Sequence, residues 1–583
     1  MNMNNCVKYI YGGVASLGLM LMTSCTDLSE KLYDTIGSEN FYQTHDDVIR
    51  GAFRPYEHAF WSVGATYEVQ ENSSDEMATY NREQDWYNEG IFERVHYHTW
   101  NIEDDEPSKA CWDALFEGVM FCNSSIEDLS KLNPEQFGFT QADFDGFSAG
   151  LRTLRAWFYI RALDLYRNIP LAVSLDASKN SVGQVSPQDM FNFIEKELKE
   201  CLELLPQKAA LGGNQLDQGL WNKAGAASLL VRLYLNAEKW IGKPMYTECA
   251  QYAEDIISGK YGPYKIDTRW DAPYDWDNVN SDEVIYAFTG AYSRAHWHYG
   301  NDMYWWSMPG LVGNYLGFKS WGNSNPKFAL QPSLDVDGNP YTFTLGRPVA
   351  KFKKYPEDVR LKLYKNLDAP STREGMFLYG YLEYKDDQGN IKRVKKPGDG
   401  YTLYIRDQVG KFLGAAPDAI IDDKVSNIDH ADHNSGWHVV KYPFYRDGDP
   451  GAIEADYTEI RLAEIYYSLA ECKFRAGDVQ SAGTLLNTVR KRYYPEDKWQ
   501  EYLYQPDGNV ILTEDELLDE WMREFCAEGR RRTDLIRWNR FSQGTWWDKQ
   551  PDADTHTEIL PLSKKTLQAD LNLKQNPGYE DPR

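Results

Sequence analysis

Long apolar runs are almost absent from this chain of 583 residues; after Met22 no stretch approaches the roughly 20 apolar residues that a membrane-spanning helix needs. Cysteine is sparse too, with eight residues and no Cys-x-x-Cys pair, which excludes a thioredoxin-type redox motif and a zinc ribbon. Cys111 and Cys122 share a helical pattern, but at 1.5 Å per residue they stand about 16 Å apart, too far for a disulfide. Cys249, Cys472 and Cys526 also fall in helical patterns, where a buried small residue is the expected state. Positive charge is in deficit: 62 Lys and Arg face 88 Asp and Glu, a net charge of −26. That balance argues against nucleic acid or anionic lipid as a general partner. There is no His-Glu-x-x-His and no phosphate loop, and no nucleophile elbow is expected, so the chain lacks the fixed spacings that place a metal, a phosphate or a catalytic serine. Carboxylate pairs for glycoside hydrolysis are not readable this way, because their separation is a three-dimensional quantity. We expect no enzyme.

What is present begins at the N-terminus. Lys8 precedes an apolar run from Tyr9 to Met22 that ends in Thr23-Ser24-Cys25, the charged, apolar and small-residue order of an export signal. Leu21-Met22-Thr23-Ser24-Cys25 is similar to a lipobox, so residues 1–24 are expected to be removed and Cys25 to carry lipid. Each buried methylene contributes about 0.8 kcal/mol, and several acyl chains together anchor essentially permanently. The mature chain is expected to be a globule on a lipid tether, held at the outer membrane and exposed at the cell surface.

Helical periodicity dominates the rest. From Gly150 to Leu171, Leu151, Leu154, Phe158, Ala162 and Leu165 recur at steps of three and four, with Arg152, Arg155, Asp164 and Arg167 on other faces, and Asn168-Ile169-Pro170 ends the helix. Trp221 to Ala237 with Met245 to Ser258, and Tyr457 to Arg475 with Val479 to Arg492, read as helical hairpins, the second turning at Ala476-Gly477-Asp478. Paired helices with small residues at their crossings suit a stacked, tetratricopeptide-like scaffold.

Leu154-Arg-Ala-Trp-Phe-Tyr followed by Leu165-Tyr-Arg-Asn-Ile-Pro-Leu resembles the hallmark helix of the SusD/RagB outer-membrane lipoproteins, with Arg167-Asn168 where that family usually has Gly-Asp or Gly-Gly. The likeness continues in family order through Trp221–Ala237, Tyr252–Tyr261, Asn280–Tyr286, Arg461–Glu471, Leu486–Arg492, Glu528–Trp538, Leu560–Leu562 and Gln575–Tyr579. Asp27 and Glu30, just after Cys25, are similar to the export tags of surface lipoproteins. The resemblance implies a mainly α fold with about four helical pairs. The two remaining pairs then fall near Phe41–Phe60 with Ser108–Leu129 and Leu151–Tyr166 with Pro187–Leu204. Residues 25–583 are expected to form one domain, with an N-terminal part to about 260, a loop-rich insertion over about 261–456 and a C-terminal helical part over 457–583. The implied partners are an oligosaccharide and a SusC-like TonB-dependent transporter.

The insertion is rich in Gly, Pro, Asp, Tyr and Trp, and a segment that long and irregular is normally functional. Its densest aromatic stretch holds Tyr292, His296, Trp297, Tyr304, Trp305, Trp306 and Trp321. A second aromatic-polar stretch, Asp75 to Asn101, contributes Asp75, Arg82, Trp86, Trp100 and Asn101. Flat rings beside amide, carboxylate and guanidinium groups suit a sugar, which has an apolar face and a hydroxyl rim. These twelve residues are the expected glycan contacts. Oligopeptide capture and a scaffold that binds no ligand are the alternatives; peptide cargo leans on backbone hydrogen bonding and a broader cavity. No cofactor is expected. Asp335-Val-Asp337-Gly338-Asn339 and Asp275-Trp-Asp277-Asn278-Val-Asn280 resemble calcium-loop fragments without completing an EF-hand, and Asp429-His430-Ala-Asp432-His433 reads as a polar surface loop before it reads as a zinc site.

Overall fold

Thr44 starts the first helix: its side chain accepts the N–H of Asp47 while the Asp47 carboxylate accepts the N–H of Thr44, a reciprocal box that satisfies two orphan donors. The helix it opens, α1 (His45–Asn72), runs 28 residues and passes well beyond Phe60, because Val63, Tyr67 and Val69 continue its buried stripe. The computed structural model to which it belongs describes residues 41–102, 106–176, 183–213, 216–290, 306–318, 326–365, 373–398, 400–443 and 455–583. Cys25 and the signal segment lie outside those residues.

Helix α2 (Glu106–Lys131) packs on α1. A second Thr–Asp box, at Thr140 and Asp143, opens α3 (Gln141–Tyr166). The rest of the scaffold is α4 (Pro187–Leu204), α5 (Lys223–Leu235), α6 (Tyr246–Ile257), α7 (Leu462–Arg475) and α8 (Val479–Arg490). Each of the eight packs against the next in chain order, so the four pairs stack as one mainly helical layer. A connected core of buried apolar side chains runs from Ala59 to Leu573 and joins this layer to both ends of the described chain. Among the described residues no helix is long and apolar enough to cross a membrane.

Two details differ from the sequence reading. Helix α3 is not amphipathic in place: Arg155, Asp164 and Arg167 are as buried as its leucines, because α2, α4 and the neighbouring helices enclose it. Its polar groups are therefore paired inside the protein, Arg155 with Glu197 at 2.7 Å and Asn123 at 2.6 Å, and Arg161 with both oxygens of Glu459 at 2.9 and 2.8 Å. The hairpin expected to begin at Tyr457 begins instead with a strand, β4 (Tyr457–Arg461), and turns helical only at Leu462.

Arg167 closes α3 at φ +58°, a conformation that L side chains rarely adopt. Its guanidinium turns back to donate to the carbonyls of Leu163 at 2.5 Å and Asp164 at 2.8 Å. The side chain thus caps the helix that its backbone ends, a task glycine performs through φ alone.

The insertion is stitched to the scaffold by short antiparallel ribbons. β1 (Met77–Thr79) pairs with β3 (Phe328–Leu330), Met77 opposite Leu330. β2 (Val284–Phe288) pairs with β4, and Phe377–Leu378 pairs with His438–Val439. The β1–β3 ribbon matters most for the site, since it draws the segment after residue 79 against the segment around residue 327.

Candidate ligand-binding site

Past β1 the chain enters a loop of unusual backbone. Glu83, Gln84, Trp86, Asn88 and Glu89 all have positive φ, between +42° and +90°. Such residues cost energy, and a cluster of them persists only where the surroundings impose it. The restraints are visible. Glu83 receives the ammonium of Lys396 at 2.5 Å and the hydroxyl of Tyr401 at 3.0 Å, Asp85 pairs with His433 at 3.2 Å, and Arg94 donates to the Glu89 carbonyl at 2.8 Å.

At the centre stands Lys327, the residue before β3. Its ammonium lies 4.1 Å from the ring centroid of Trp306, 4.9 Å from Phe92 and 5.3 Å from Trp86, and pairs with Glu68 of α1. Cation–π attraction of this kind contributes on the order of 1–2 kcal/mol per desolvated ring. The buried cation therefore sets the planes of Trp86, from the first aromatic stretch, and Trp306, from the second. The Phe328 N–H donates to the Trp306 carbonyl at 2.7 Å, which fixes that indole from the backbone side. Trp86 and Trp306 are both half-buried. Flat rings around an ammonium and a carboxylate offer apolar contact with hydrogen-bonding groups at the edge.

Of the twelve expected contacts, Trp86 and Trp306 are brought together. Trp100 belongs to a different stack, on His98 at 5.7 Å, which in turn lies on Phe541 at 4.0 Å. Burial pushes the His98 imidazole down to about 4, against its contacts with Asp552 and the Ser73 carbonyl, both 2.8 Å, which favour the protonated ring. Asn101 is half-buried. The indole N–H groups of Trp86 and Trp100 have no acceptor among the described residues.

Asp75 and Arg82 sit inside the fold. Burial opposes ionisation of Asp75, yet Arg531, at 2.6 and 3.1 Å, and nearby Lys351 hold its carboxyl well below the usual carboxylate range; it also accepts the Gly346 N–H at 2.7 Å. Arg82 is fully buried, donates to the Pro326 carbonyl at 2.6 Å and lies 4.9 Å over the Tyr80 ring. Burial brings its guanidinium down to about 10. Both side chains are thus committed to partners inside the fold. Tyr292, His296, Trp297, Tyr304, Trp305 and Trp321 lie outside the described residues.

Lys327, Phe92 and Glu68 escape sequence reading. Each has an ordinary local setting, and only the β1–β3 pairing makes them neighbours. The candidate calcium loops are closed by their own groups. Asp335 accepts the N–H groups of Asp337 and Asn339 at 2.9 and 2.8 Å, Lys424 pairs with Asp337, and Arg269 pairs with Asp275. His430 and His433 turn to separate carboxylates, Asp423 and Asp85. Among the described residues no group of three or more His, Cys, Asp or Glu is placed to hold a metal. Gly146-Phe147-Ser148-Ala149-Gly150 does spell Gly-x-Ser-x-Gly, but it lies within α3, not at the strand-to-helix turn that a nucleophile elbow requires.

Stacked helical pairs carrying a loop-rich insertion, with an aromatic cluster where the insertion meets the N-terminal segment, define a helical-scaffold protein. The sequence profile of the SusD family matches residues 202–579, and the chain belongs to that family. The starch-binding protein SusD of Bacteroides thetaiotaomicron is 27% identical over 465 residues, covering 76% of this chain and 74% of that one. Among solved structures the fold is similar to NanU of B. fragilis, with a TM-score of 0.62, 15% identity and coverage of 94% of this chain and 99% of that one. It is also similar to a laminarin-binding SusD-like protein, with a TM-score of 0.58, 19% identity and coverage of 92% and 100%.

Proposed function

We propose that this protein captures oligosaccharides at the cell surface and delivers them to a SusC-like TonB-dependent transporter, without catalysis of its own. The observation that carries the reading is the joining of Trp86 and Trp306 around Lys327, which gives two aromatic faces from distant parts of the chain one rigid geometry. The starch- and laminarin-binding relatives support carbohydrate as the cargo. We retain Trp100, Asn101, Tyr292, His296, Trp297, Tyr304, Trp305 and Trp321 as further contacts, and assign Asp75 and Arg82 to holding the site in place.

In this reading residues 1–24 are removed, Cys25 is acylated, and residues 25–583 sit as one hinged lid over the transporter barrel in the outer membrane. Sugar lying between the rings is confined when the lid closes. An intrinsic affinity near 1 mM, about −4 kcal/mol, then suffices, because closure adds effective concentration.

The test is a polysaccharide retardation gel with the purified chain and its Trp86→Ala/Trp306→Ala variant, run against plant, host and microbial glycans. Selective retardation of the native chain is expected, and the variant should bind about 30-fold more weakly, on the order of 2 kcal/mol for two lost platforms. Equal retardation of the two proteins rejects the site. Free migration of the native chain on every glycan rejects carbohydrate capture by the protein alone.

A further inference from the structure

A second groove, sharing no residue with the Lys327 cage, has the makings of a sugar site. Tyr379 stacks on Trp437 with ring centroids 4.0 Å apart and planes within 10°. The pair lines a groove of about 470 Å³, walled also by Pro356 and Leu361 and edged by Lys353, Glu357, Asp358 and Lys362. That volume lies in the range of small-molecule sites, which combine apolar walls with a few polar groups.

The charges at its edge are not balanced. Asp358 is fully buried and committed to Arg360, whose Nε and Nη2 donate to it at 3.0 and 2.7 Å. Glu357 takes the hydroxyl of Tyr502 and has Lys498 at 3.7 Å. Lys353 is exposed and lies over the Trp437 ring at 4.8 Å. The exposed ammonium of Lys362 has neither a hydrogen bond nor an ion pair among the described residues. Both carboxylates are spent, whereas neither lysine has a carboxylate partner among the described residues. In a chain of net charge −26, two ammoniums without carboxylate partners beside stacked aromatics create a local field of the opposite sign.

We propose that this groove is a second saccharide site, specific for an acidic sugar of the uronic acid class. The pyranose packs on half-buried Tyr379, which the buried Trp437 ring backs, and the sugar carboxylate lies between Lys353 and Lys362, where charge-assisted hydrogen bonds are shorter and stronger than neutral ones. The proposal rests on the carbohydrate reading above and extends it: a polysaccharide held at two points gains avidity without any new contact at the first.

The experiment is isothermal titration calorimetry of tetragalacturonate, with neutral cellotetraose as control. The protein is the full chain in the Trp86→Ala/Trp306→Ala background, so the result is read independently of the first site. Tetragalacturonate is expected to bind at least tenfold more tightly than cellotetraose. Lys353→Glu/Lys362→Glu should abolish that binding with the native circular dichroism spectrum retained, and Tyr379→Ala should weaken it about tenfold. Raising the salt from 50 to 300 mM should weaken binding severalfold, since exposed charges are screened. No tetragalacturonate binding in this background, equal binding of the neutral sugar, or binding indifferent to the two lysine reversals would each overturn the proposal.

Discussion

Lys327 illustrates how one residue gains its meaning from its surroundings. In the sequence it is one lysine between a proline and a phenylalanine; in the fold it is nearly unexposed, with rings from two distant stretches of chain around it. Asp407 shows the same dependence in its proton affinity. Burial pushes its carboxyl up to about 7, against the hydrogen bond it accepts from the Ser333 N–H at 2.8 Å. An unfolded aspartate titrates near 3.9, so between about pH 4 and 7 the folded chain keeps a proton that the unfolded chain has lost. Asp407 therefore contributes stability that is fully present below about pH 4 and declines as pH rises through 7. Asp407→Asn retains the acceptor for Ser333 without the charge. Its melting temperature should match the native chain at pH 4 and exceed it by a few degrees at pH 8, measured by differential scanning calorimetry. An equal offset at both pH values would contradict the assignment.

Among the elements, the ribbon strand β4 and the helix Glu514–Phe525 are locked by buried charge. Arg461 donates to Glu524 at 2.6 Å and to Glu528 at 3.1 and 2.9 Å, while Arg492 reaches Glu283 at 2.5 Å and Glu524 at 2.9 Å. Glu524 also accepts the Tyr493 hydroxyl at 2.6 Å. Despite full burial, which opposes ionisation, these guanidiniums hold its carboxyl far below the usual range. Removing one partner from such a group strands the others without compensation, at about 3–5 kcal/mol. Glu524→Gln is thus expected to lower the urea midpoint substantially, whereas Glu254→Gln, which loosens only the exposed Glu254–Lys473 pair, should change stability by less than about 0.5 kcal/mol. Comparable losses in the two variants would show that the network is not what locks β4 to the helix. Amphipathic spacing identified most of the helices, but it read the charged residues of α3 as an outer face. Periodicity records which residues repeat, not how many neighbours enclose the helix.

At the scale of the whole molecule, attachment is separable from folding. The described residues contain no membrane-crossing helix, and the proposed anchor is a single acylated cysteine. Cys25→Ser should abolish incorporation of labelled palmitate and prevent retention in the outer membrane, while the folded protein keeps its melting temperature. Undiminished lipid label on the Cys25→Ser chain would refute the lipobox reading.

The helical class, the α5–α6 and α7–α8 hairpins and the family were legible in the chain, because local periodicity and ordered motifs are properties of neighbouring residues, while the other two pairs were implied by the resemblance. The sequence also named the two aromatic stretches. Which of their members meet was decided only by the tertiary structure. Trp86 and Trp306 are 220 positions apart, and they share a cation because β1 pairs with β3. Asp75 and Arg82, polar and unremarkable in composition, were drawn inward by partners at Arg531 and Pro326. A residue's type fixes what it can bind; the long-range packing of the chain fixes whether it is left free to do so.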